Sequence, residues 1–373
     1  MAYGIIPYDP GLKEQTAELQ RHLWSGDAEV NIAYLEWKYE RNPYGETPLI
    51  YVATSDGRVV GMRGMFGSAW EIGAGSETFA IPCADDFVIA PNHRNRGLSS
   101  LIMRGALDDL ACRGYEYVFS LSPGPVTLVT SLVSGWRRVG SMQPAERRGS
   151  PDLLRRCHSR LSKAPVLWRV AGTLVRLSHA RSPFRRLDCR GERRRPGQSG
   201  EICLEREPRI DAMVDLVRRL GHDGRVRHVR DERYLAWRFR NPLHEYRFLF
   251  CDDDGLGGYL VLQAYRQDRS RGINIVDWEG TTCQIRGDLL RTAIEWGDFD
   301  QLNIWTATLP DEALTQLSAA AFVPAPARSS LHSPNVLVIS TRQTVQEPDP
   351  TLAGRRLLDV AEWDMRMVYS MAG

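Results

Sequence analysis

The spacing of apolar residues changes within the stretch 85–114 and predicts a strand, a loop and a helix. The apolar run Phe-Val-Ile at 87–89 is typical of a short buried strand, and Pro91 ends it. Apolar residues then recur at helical spacing over 98–111. The intervening loop reads HRNRG, so a basic, glycine-bearing connection is expected between strand and helix.

At the scale of the whole chain, the same pattern occurs twice. Residues 34–43, YLEWKYERNP, return as residues 234–242, YLAWRFRNP, one residue shorter. Each copy is followed by a strand-like run, an acidic-glycine turn (Asp56-Gly57 and Asp254-Gly255) and a second strand-like run. A match of this length with the same order of elements predicts two copies of one module.

The order of elements predicts an α/β fold in which helices pack on mixed sheets. In the first copy a third strand is expected over 78–89, and in the second copy the last strand is expected over 336–340. The predicted boundaries are an N-terminal domain over 1–145, a linker over 146–200, a C-terminal domain over 201–345 and a tail over 346–373.

The loop before the predicted helix over 98–111 has the chemistry of an anion site. A helix N-terminus presents free backbone N–H groups and a positive dipole end, which together suit a phosphate. Arg94 and Arg96 add full charges, and Gly97 leaves room for the anion to approach the backbone. Ser99 and Ser100 keep the first helical turn small.

The spacing Arg94-x-x-Gly97-x-Ser99 after the apolar strand resembles the pyrophosphate loop of the GNAT superfamily of acyl-CoA N-acyltransferases. The strand predicted at 117–121, the helix at 126–133 and Gly135-Trp136 follow in the family's order, with Ser99 and Trp136 in place of the usual Gly or Ala and Phe. The resemblance implies two GNAT-like modules, each a mixed, largely antiparallel sheet flanked by helices, joined by a basic helical linker. It implies acetyl-CoA or another acyl-CoA as co-substrate, bound by Val88, Ile89, Ala90, Arg94, Asn95, Arg96, Gly97, Leu98, Ser99 and Ser100.

The chemistry implied by this resemblance is direct attack of an amine on the thioester, which needs a base for the amine proton. Asp85 and Asp86 on the strand before the loop are candidate bases, and Glu77 at the start of that strand is a third. Because neighbouring strand residues face opposite sides, at most one of the two aspartates is expected to point into the cleft. The position of the family's usual tyrosine acid is Ser131, which cannot play that role well.

The second module departs from this pattern at the corresponding loop. Gln284-x-x-Gly287 is followed by Asp288 and Leu289, which puts a negative charge and a bulky side chain where the family has a small residue. We therefore expect only the first module to bind the cofactor.

Between the modules, residues 145–200 contain 15 Lys and Arg against 4 Asp and Glu, and helical apolar spacing runs over 153–161 and 166–177. Such a basic segment could lie on a membrane surface, bind an acidic partner, or serve as a solvated connector.

The composition narrows the function classes. A formal net charge of +2 argues against a general nucleic-acid binder, and seven scattered cysteines without a C-x-x-C pair predict neither a metal site nor a disulfide framework. The cysteines, an N-terminus without a signal pattern and the lack of a long apolar run favour the cytoplasm.

Three functions fit these observations. The first is an acyl-CoA-dependent N-acyltransferase, in the simplest case an N-acetyltransferase, that acts on a primary amine of a small molecule, amino sugar, peptide or natural-product intermediate. The second is an aminoacyl-tRNA-dependent transferase of the same doubled fold, whose RNA the basic linker would suit. The third is a non-catalytic acyl-CoA-sensing protein, motivated by Ser131.

Overall fold

The computed structural model describes residues 3–72, 77–121, 123–149, 184–188, 195–197, 199–266, 272–297, 299–326, 334–341 and 349–371. The predicted basic helices over 153–177 lie outside these residues. The described α-helices are α1 (Lys13–Gln20), α2 (Ala28–Leu35), α3 (Leu98–Cys112), α4 (Pro125–Val133), α5 (Arg185–Asp188), α6 (Ile210–Leu220), α7 (Glu232–Arg238), α8 (Cys283–Gly297) and α9 (Asp311–Ala319).

The described strands, in chain order, are β1 (Gly4–Pro7), β2 (Leu49–Ser55), β3 (Arg58–Phe66), β4 (Ala69–Ile72), β5 (Glu77–Ala80), β6 (Cys83–Ile89), β7 (Tyr117–Ser120), β8 (Arg137–Ser141), β9 (Pro144–Arg148), β10 (Arg195–Gly197), β11 (Gly200–Glu205), β12 (Val226–His228), β13 (His244–Asp252), β14 (Leu256–Tyr265), β15 (Ile273–Gly280), β16 (Gln301–Trp305), β17 (Val323–Pro324), β18 (Asn335–Ser340), β19 (Thr351–Leu352), β20 (Arg355–Arg356) and β21 (Trp363–Asp364).

These elements form two compact units. The first comprises Met1–Gln143, Gly221–Pro242 and Pro326–Ala372, and the second comprises Pro144–Leu220 and Leu243–Ala325. The first unit holds a seven-stranded sheet in the order β1-β2-β3-β6-β7-β18-β8 and a four-stranded sheet in the order β21-β12-β4-β5. The second holds an eight-stranded sheet in the order β10-β11-β13-β14-β15-β16-β9-β17. Both main sheets are mixed and largely antiparallel, with helices packed on them, which confirms the predicted fold class.

The sheets do not follow the order of the sequence modules at one place. The strand that the repeat predicts as the last of the second module, β18, lies in the first sheet and pairs antiparallel with both β7 and β8. Conversely, β9, which crosses the predicted boundary between the first domain and the linker, pairs with β16 in the second sheet. The reason is local burial, since Leu337 and Ile339 of β18 lie in the core of the first unit.

The single strand predicted over 78–89 is wrong, because the chain breaks at Ile81 and Pro82. β5 pairs with β4 in the four-stranded sheet, whereas β6 pairs with β3 in the seven-stranded sheet. Pro82 has no N–H to donate to a ladder. Its carbonyl accepts a hydrogen bond from the Phe119 N–H at 3.0 Å, and this bond joins the start of β6 to β7.

Helix α3 positions the loop that precedes it. Its buried residues Leu98, Ile102, Ala106 and Leu110 recur at helical spacing and lie in the same core as Ala53 of β2. Burying a leucine or isoleucine side chain stabilises the fold by about 1.5–3 kcal/mol. The N-terminal end of α3 is therefore fixed on the sheet next to the end of β6.

The segment expected to form a C-terminal tail contains β19, β20 and β21. Trp363, Val368 and Tyr369 are buried in the first unit. β21 pairs with β12 parallel and so forms the edge of the four-stranded sheet. The described part of this segment thus contributes to the core.

Candidate active site

Strands β6 and β7 part immediately after they meet. The described parts of the two parallel strands pair at Cys83 and Phe119 and no further. β6 continues to Ile89 while it stays paired with β3 on its other side. The edge of β6 that faces away from β3 therefore offers backbone donors and acceptors to a ligand in the opening.

At the end of this opening lies the N-terminus of α3. Gly97 is its N-cap residue and has a φ of 71°, and no side chain caps the helix there. A Cβ added to Gly97 would meet no atom within 4 Å, so the position does not need glycine to avoid a collision. Glycine is favoured here because the backbone is in the left-handed conformation. Asn95 also has a positive φ, of 61°. The first N–H groups of α3 have no partner within the helix and can bind an anion.

The other residues predicted to contact the cofactor lie along this strand and loop. The Arg94 Nε donates a hydrogen bond to the Ile89 carbonyl at 3.0 Å and so closes the loop. Arg96 and Ser100 are exposed, Ile89 and Ala90 are half-buried, and Val88 is buried. Leu98 is buried in the core, so its contribution to an anion site is its backbone N–H.

A cavity lies beside the opening. Its empty volume is about 330 Å³ including the open mouth. Ser131, at the position of the family's usual tyrosine acid, lines it and is 8% exposed. Its wall combines small hydroxyl-bearing residues with two aromatic rings and one arginine: Arg63, Phe87, Ser99, Met103, Thr127, Thr130, Ser131, Ser134 and Trp136. The cavity therefore brings together the start of α3, the middle of β6 and the helix α4.

The two aspartates of β6 lie in a β-bulge. In the ladder with β3, Phe87 pairs with Arg63 and Ala84 pairs with Met65, so Asp85 and Asp86 together oppose one residue, Gly64. A side chain at that position would collide with the Tyr39 hydroxyl. The bulge breaks the alternation of the strand, so the premise that neighbouring residues face opposite sides does not hold at Asp85 and Asp86. That at most one of the two carboxylates points into the cleft stays a prediction.

Both carboxylates bind the same ammonium group. The Lys38 Nζ donates to Asp85 Oδ2 at 2.7 Å and to Asp86 Oδ1 at 2.9 Å. Lys38 lies in a π-helical turn, Glu36–Glu40, that continues α2. Its Nζ also donates to the Tyr34 hydroxyl at 3.1 Å. The lysine side chain is fully buried.

The two carboxylates differ in accessibility. Asp86 is fully buried and accepts hydrogen bonds from Gln20 Nε2 at 2.9 Å and from Trp24 Nε1 at 3.0 Å in addition to Lys38. The Asp85 side chain is 25% exposed. Burial raises the pKa of Asp85, and the charge of Lys38 offsets part of this effect. Burial would lower the pKa of Lys38, but the charges of Asp85 and Asp86 outweigh it and hold that pKa above its ordinary value.

Glu77 is not brought to this place. It is exposed at the start of β5, where it pairs with Ile72 in the four-stranded sheet. The structure assigns it to a different sheet from Asp85 and Asp86.

A comparison with protein families decides the nature of this unit. Residues 14–125 match the family model described as the acetyltransferase (GNAT) family. This part of the chain is similar to the GNAT acetyltransferases and is called the GNAT domain below. The match includes the bulge aspartates, the parting strands and four of the nine residues in the cavity wall.

Solved structures show the same doubled fold at low sequence identity. A GCN5-related N-acetyltransferase from Anabaena variabilis is 13% identical, with a TM-score of 0.56 over 91% of this chain and 73% of that one. A GCN5-related N-acetyltransferase from Kribbella flavida is 12% identical, with a TM-score of 0.53 over 90% and 70%. A tandem GNAT protein from the clavulanic acid biosynthesis pathway is 12% identical, with a TM-score of 0.51 over 92% and 100%. No curated protein sequence matches the chain.

The second module lacks the loop of the GNAT domain. Gln284 and Gly287 lie inside α8, and Thr282 Oγ1 accepts a hydrogen bond from the Ile285 N–H at 3.2 Å at the start of that helix. The Thr282 side chain thus accepts a hydrogen bond from a backbone N–H at the start of α8, whereas no side chain caps the start of α3.

Two residues of the GNAT domain were missed by the sequence reasoning. Arg63 looks like any polar residue of an alternating strand, and nothing in the sequence marks it. Lys38 had a signal, because the repeat places a cation at the same position in both copies, Lys38 and Arg238. In the described part of the chain no helix is long and apolar enough to span a membrane, and no cluster of three or more His, Cys, Asp or Glu could hold a metal ion.

Proposed function

We propose that the GNAT domain binds an acyl-CoA between β6 and β7 and transfers its acyl group to a primary amine. The observation that carries this proposal is the parting of the two strands directly before an uncapped helix N-terminus. An extended ligand with a pyrophosphate at one end fits such an arrangement, since the strand edge and the helix end supply the two kinds of contact it needs.

The cofactor residues divide into two groups. The N–H groups at Gly97, Leu98, Ser99 and Ser100, together with the charges of Arg94 and Arg96, would hold the pyrophosphate. The backbone of residues 87–90 would pair with the amides of the pantetheine arm. This direction places the thioester toward the bulge.

We assign Asp85 as the base. Its carboxylate is partly accessible, whereas Asp86 is fully buried and accepts hydrogen bonds from Gln20, Trp24 and Lys38. A raised pKa brings a carboxylate closer to the working pH and makes it a better proton acceptor. Asp86 and Lys38 would hold Asp85 in place.

In the proposed reaction the amine nitrogen attacks the thioester carbonyl carbon and the amine proton passes to Asp85. The C–N bond forms, the C–S bond breaks, and its electron pair stays on the sulfur of CoA. The acceptor we propose is a small molecule, an amino sugar, a peptide or a natural-product intermediate. The second module would complete the fold or shape the acceptor pocket, because its helix α8 lacks the free N-terminus of α3.

The experiment is calorimetric titration of the purified full chain with acetyl-CoA and with a long-chain acyl-CoA. We expect saturable binding that Gly97→Trp abolishes. Gly114→Trp is the matched control, since Gly114 also has a positive φ, is exposed at the other end of α3, and has no atom near its absent Cβ.

Three outcomes would contradict the proposal. Failure of both acyl-CoAs to bind would move the aminoacyl-tRNA-dependent transferase to the front. Binding without CoA release in a screen of amines would favour the sensing protein. Equal loss of binding in the Gly97 and Gly114 variants would place the cofactor away from the loop.

A further inference from the structure

Arg63 is a buried cation in the wall of the cavity. It is 3% exposed, and its guanidinium carbon lies 5.3 Å from the centre of the Phe87 ring and 6.0 Å from the centre of the Trp136 ring. Among the described residues, no group accepts a hydrogen bond from its Nε and no carboxylate forms an ion pair with it. Both aromatic rings therefore pack near the guanidinium, which also lines the open cavity.

The charges of Asp85 and Asp86 act on Arg63 from a distance, but neither carboxylate forms an ion pair with it. A buried charge without a direct partner is costly for folding unless it serves a ligand. Arg63 lines an open cavity, so an anion that enters the cavity would find a fixed cation already desolvated. Burial lowers the pKa of Arg63 to about 10, which leaves the guanidinium charged at neutral pH. The site thus has the properties of a preorganised electrostatic group.

We propose that Arg63 stabilises the negative charge that develops on the sulfur of CoA as the acyl group leaves. This inference rests on the proposed function. In the transfer step the C–S bond breaks with its electron pair on sulfur, and the amine proton is already assigned to Asp85. The sulfur therefore departs as a thiolate, and a fixed positive charge beside it lowers the barrier more than it favours the neutral thioester.

The register of the strands places Arg63 where this charge would arise. Arg63 pairs with Phe87, which lies between Ile89 near the loop and Asp85 at the bulge. A cofactor that starts at the loop and follows β6 toward Asp85 passes this pair. Ser131 lines the same cavity, and a serine hydroxyl is a poor proton donor to a thiolate. The cavity thus offers a cation in place of an acid.

The first test measures binding without turnover. Full-chain protein is titrated with CoA and with desulfo-CoA, which lacks only the sulfur, at pH 7 and at pH 9. Because the thiol ionises over this range, we expect wild-type protein to gain about tenfold in its preference for CoA over desulfo-CoA. Arg63→Met should abolish the gain and Arg63→Lys should retain part of it.

The second test uses any amine that the wild-type protein acylates. We expect Arg63→Met to lower kcat about tenfold or more while the dissociation constant for acetyl-CoA stays the same. Arg58→Met, at the exposed start of the same strand, is the control and should change kcat little. Arg63→Met should also fold, because it replaces a buried charge that forms no ion pair by an apolar chain of similar length, while Lys38 still pairs with Asp85 and Asp86.

The outcomes separate this inference from the proposed function. If wild-type protein binds neither CoA nor acetyl-CoA, the proposed function fails. If acetyl-CoA binds but the preference for CoA is independent of pH and of Arg63, the inference fails alone. The inference also fails if Arg63→Met loses acetyl-CoA binding. It fails as well if wild-type protein binds succinyl-CoA more tightly than butyryl-CoA and Arg63→Met loses this preference, since Arg63 would then bind an anion on the acyl group.

Discussion

The indole rings of Trp37 and Trp237 stack with their centres 4.7 Å apart and their planes 9° from parallel. Each ring donates its Nε1–H to the backbone carbonyl of the other tryptophan at 2.7 Å. The two residues occupy the same position in the two copies of the repeat, and both lie in the first unit. The repeated helices therefore meet through one reciprocal contact, which explains why both copies retain the Tyr-Leu-x-Trp pattern.

This reciprocal contact predicts strong coupling between the two residues. Trp37→Phe and Trp237→Phe each keep an aromatic ring but leave a carbonyl without its donor, at a cost of about 1 kcal/mol in the free energy of unfolding. The double variant should lose at least about 0.5 kcal/mol less than the sum, because one bond positions the other. Urea denaturation measures this. Trp37→Phe combined with Trp296→Phe, in the core of the second unit, should be additive. Additivity of the first pair would contradict the reciprocal contact.

The bulge predicts different roles for the two aspartates. Asp85→Asn should lower kcat/KM about a hundredfold or more and flatten the acid side of the pH–rate profile, with little change in the thermal midpoint. Asp86→Asn should lower the thermal midpoint instead, because Lys38, Gln20 and Trp24 lose a shared charged acceptor. Steady-state kinetics and calorimetry separate the two. If Asp86→Asn alone removes activity from a stable protein, the base is Asp86.

Removal of Lys38 should destabilise the protein in a pH-dependent manner. Lys38→Met leaves the buried carboxylate of Asp86 and the partly exposed one of Asp85 without their cation, which costs about 3–5 kcal/mol. The pKa of Asp85 then rises further above its unfolded value, so the folded state binds more protons and stability falls as pH rises through that window. The deficit should be larger at pH 8 than at pH 5 in urea denaturation.

Lys13→Met is the control for this change. Lys13 pairs with Glu36 and Glu40 but is 25% exposed, so its loss should cost at most about 1 kcal/mol. Equal losses for both lysines, or a Lys38→Met deficit that grows on acidification, would contradict the buried ion-pair interpretation.

The sequence predicted the elements around the site well because each has a strong local signal. The apolar period places β6 and α3, and the left-handed Gly97 follows from glycine at the end of a short loop. The bulge could not be predicted, because one extra residue in a strand shows only against the partner strand. The partner residue is Gly64, which packs against the Tyr39 ring, and neither residue is near Asp85 in sequence.

The exchange of β9 and β18 could not be read from the repeat for a related reason. A repeat shows which segments have the same local pattern but not which sheet each strand joins, because neighbouring strands are chosen by long-range pairing. The continuous apolar run at 336–339 would fit a buried strand of either sheet. Its partners, β7 and β8, are determined by the packing of Leu337 and Ile339 in the core of the first unit.

The burial of His228 predicts that the protein loses stability in acid. His228 is fully buried, with its ring 4.1 Å from the Tyr234 ring and 5.3 Å from the Tyr369 ring. Burial lowers its pKa to about 3. Between that value and the unfolded pKa of about 6.5 the unfolded chain binds one more proton, so stability rises with pH and is lost as pH falls through this window.

His228→Phe should therefore reduce the dependence of stability on pH between 3 and 6.5 by up to about 1.4 kcal/mol per pH unit. The phenyl ring keeps the aromatic packing against Tyr234 and Tyr369, whereas the titrating group and its hydrogen bond with the Val229 carbonyl are removed. Urea midpoints measured at half-unit steps of pH give the slope. Substitution of the exposed His22 by Phe is the matched control and should leave the slope unchanged. An unchanged slope in His228→Phe would mean that carboxylates alone determine the acid sensitivity of this unit.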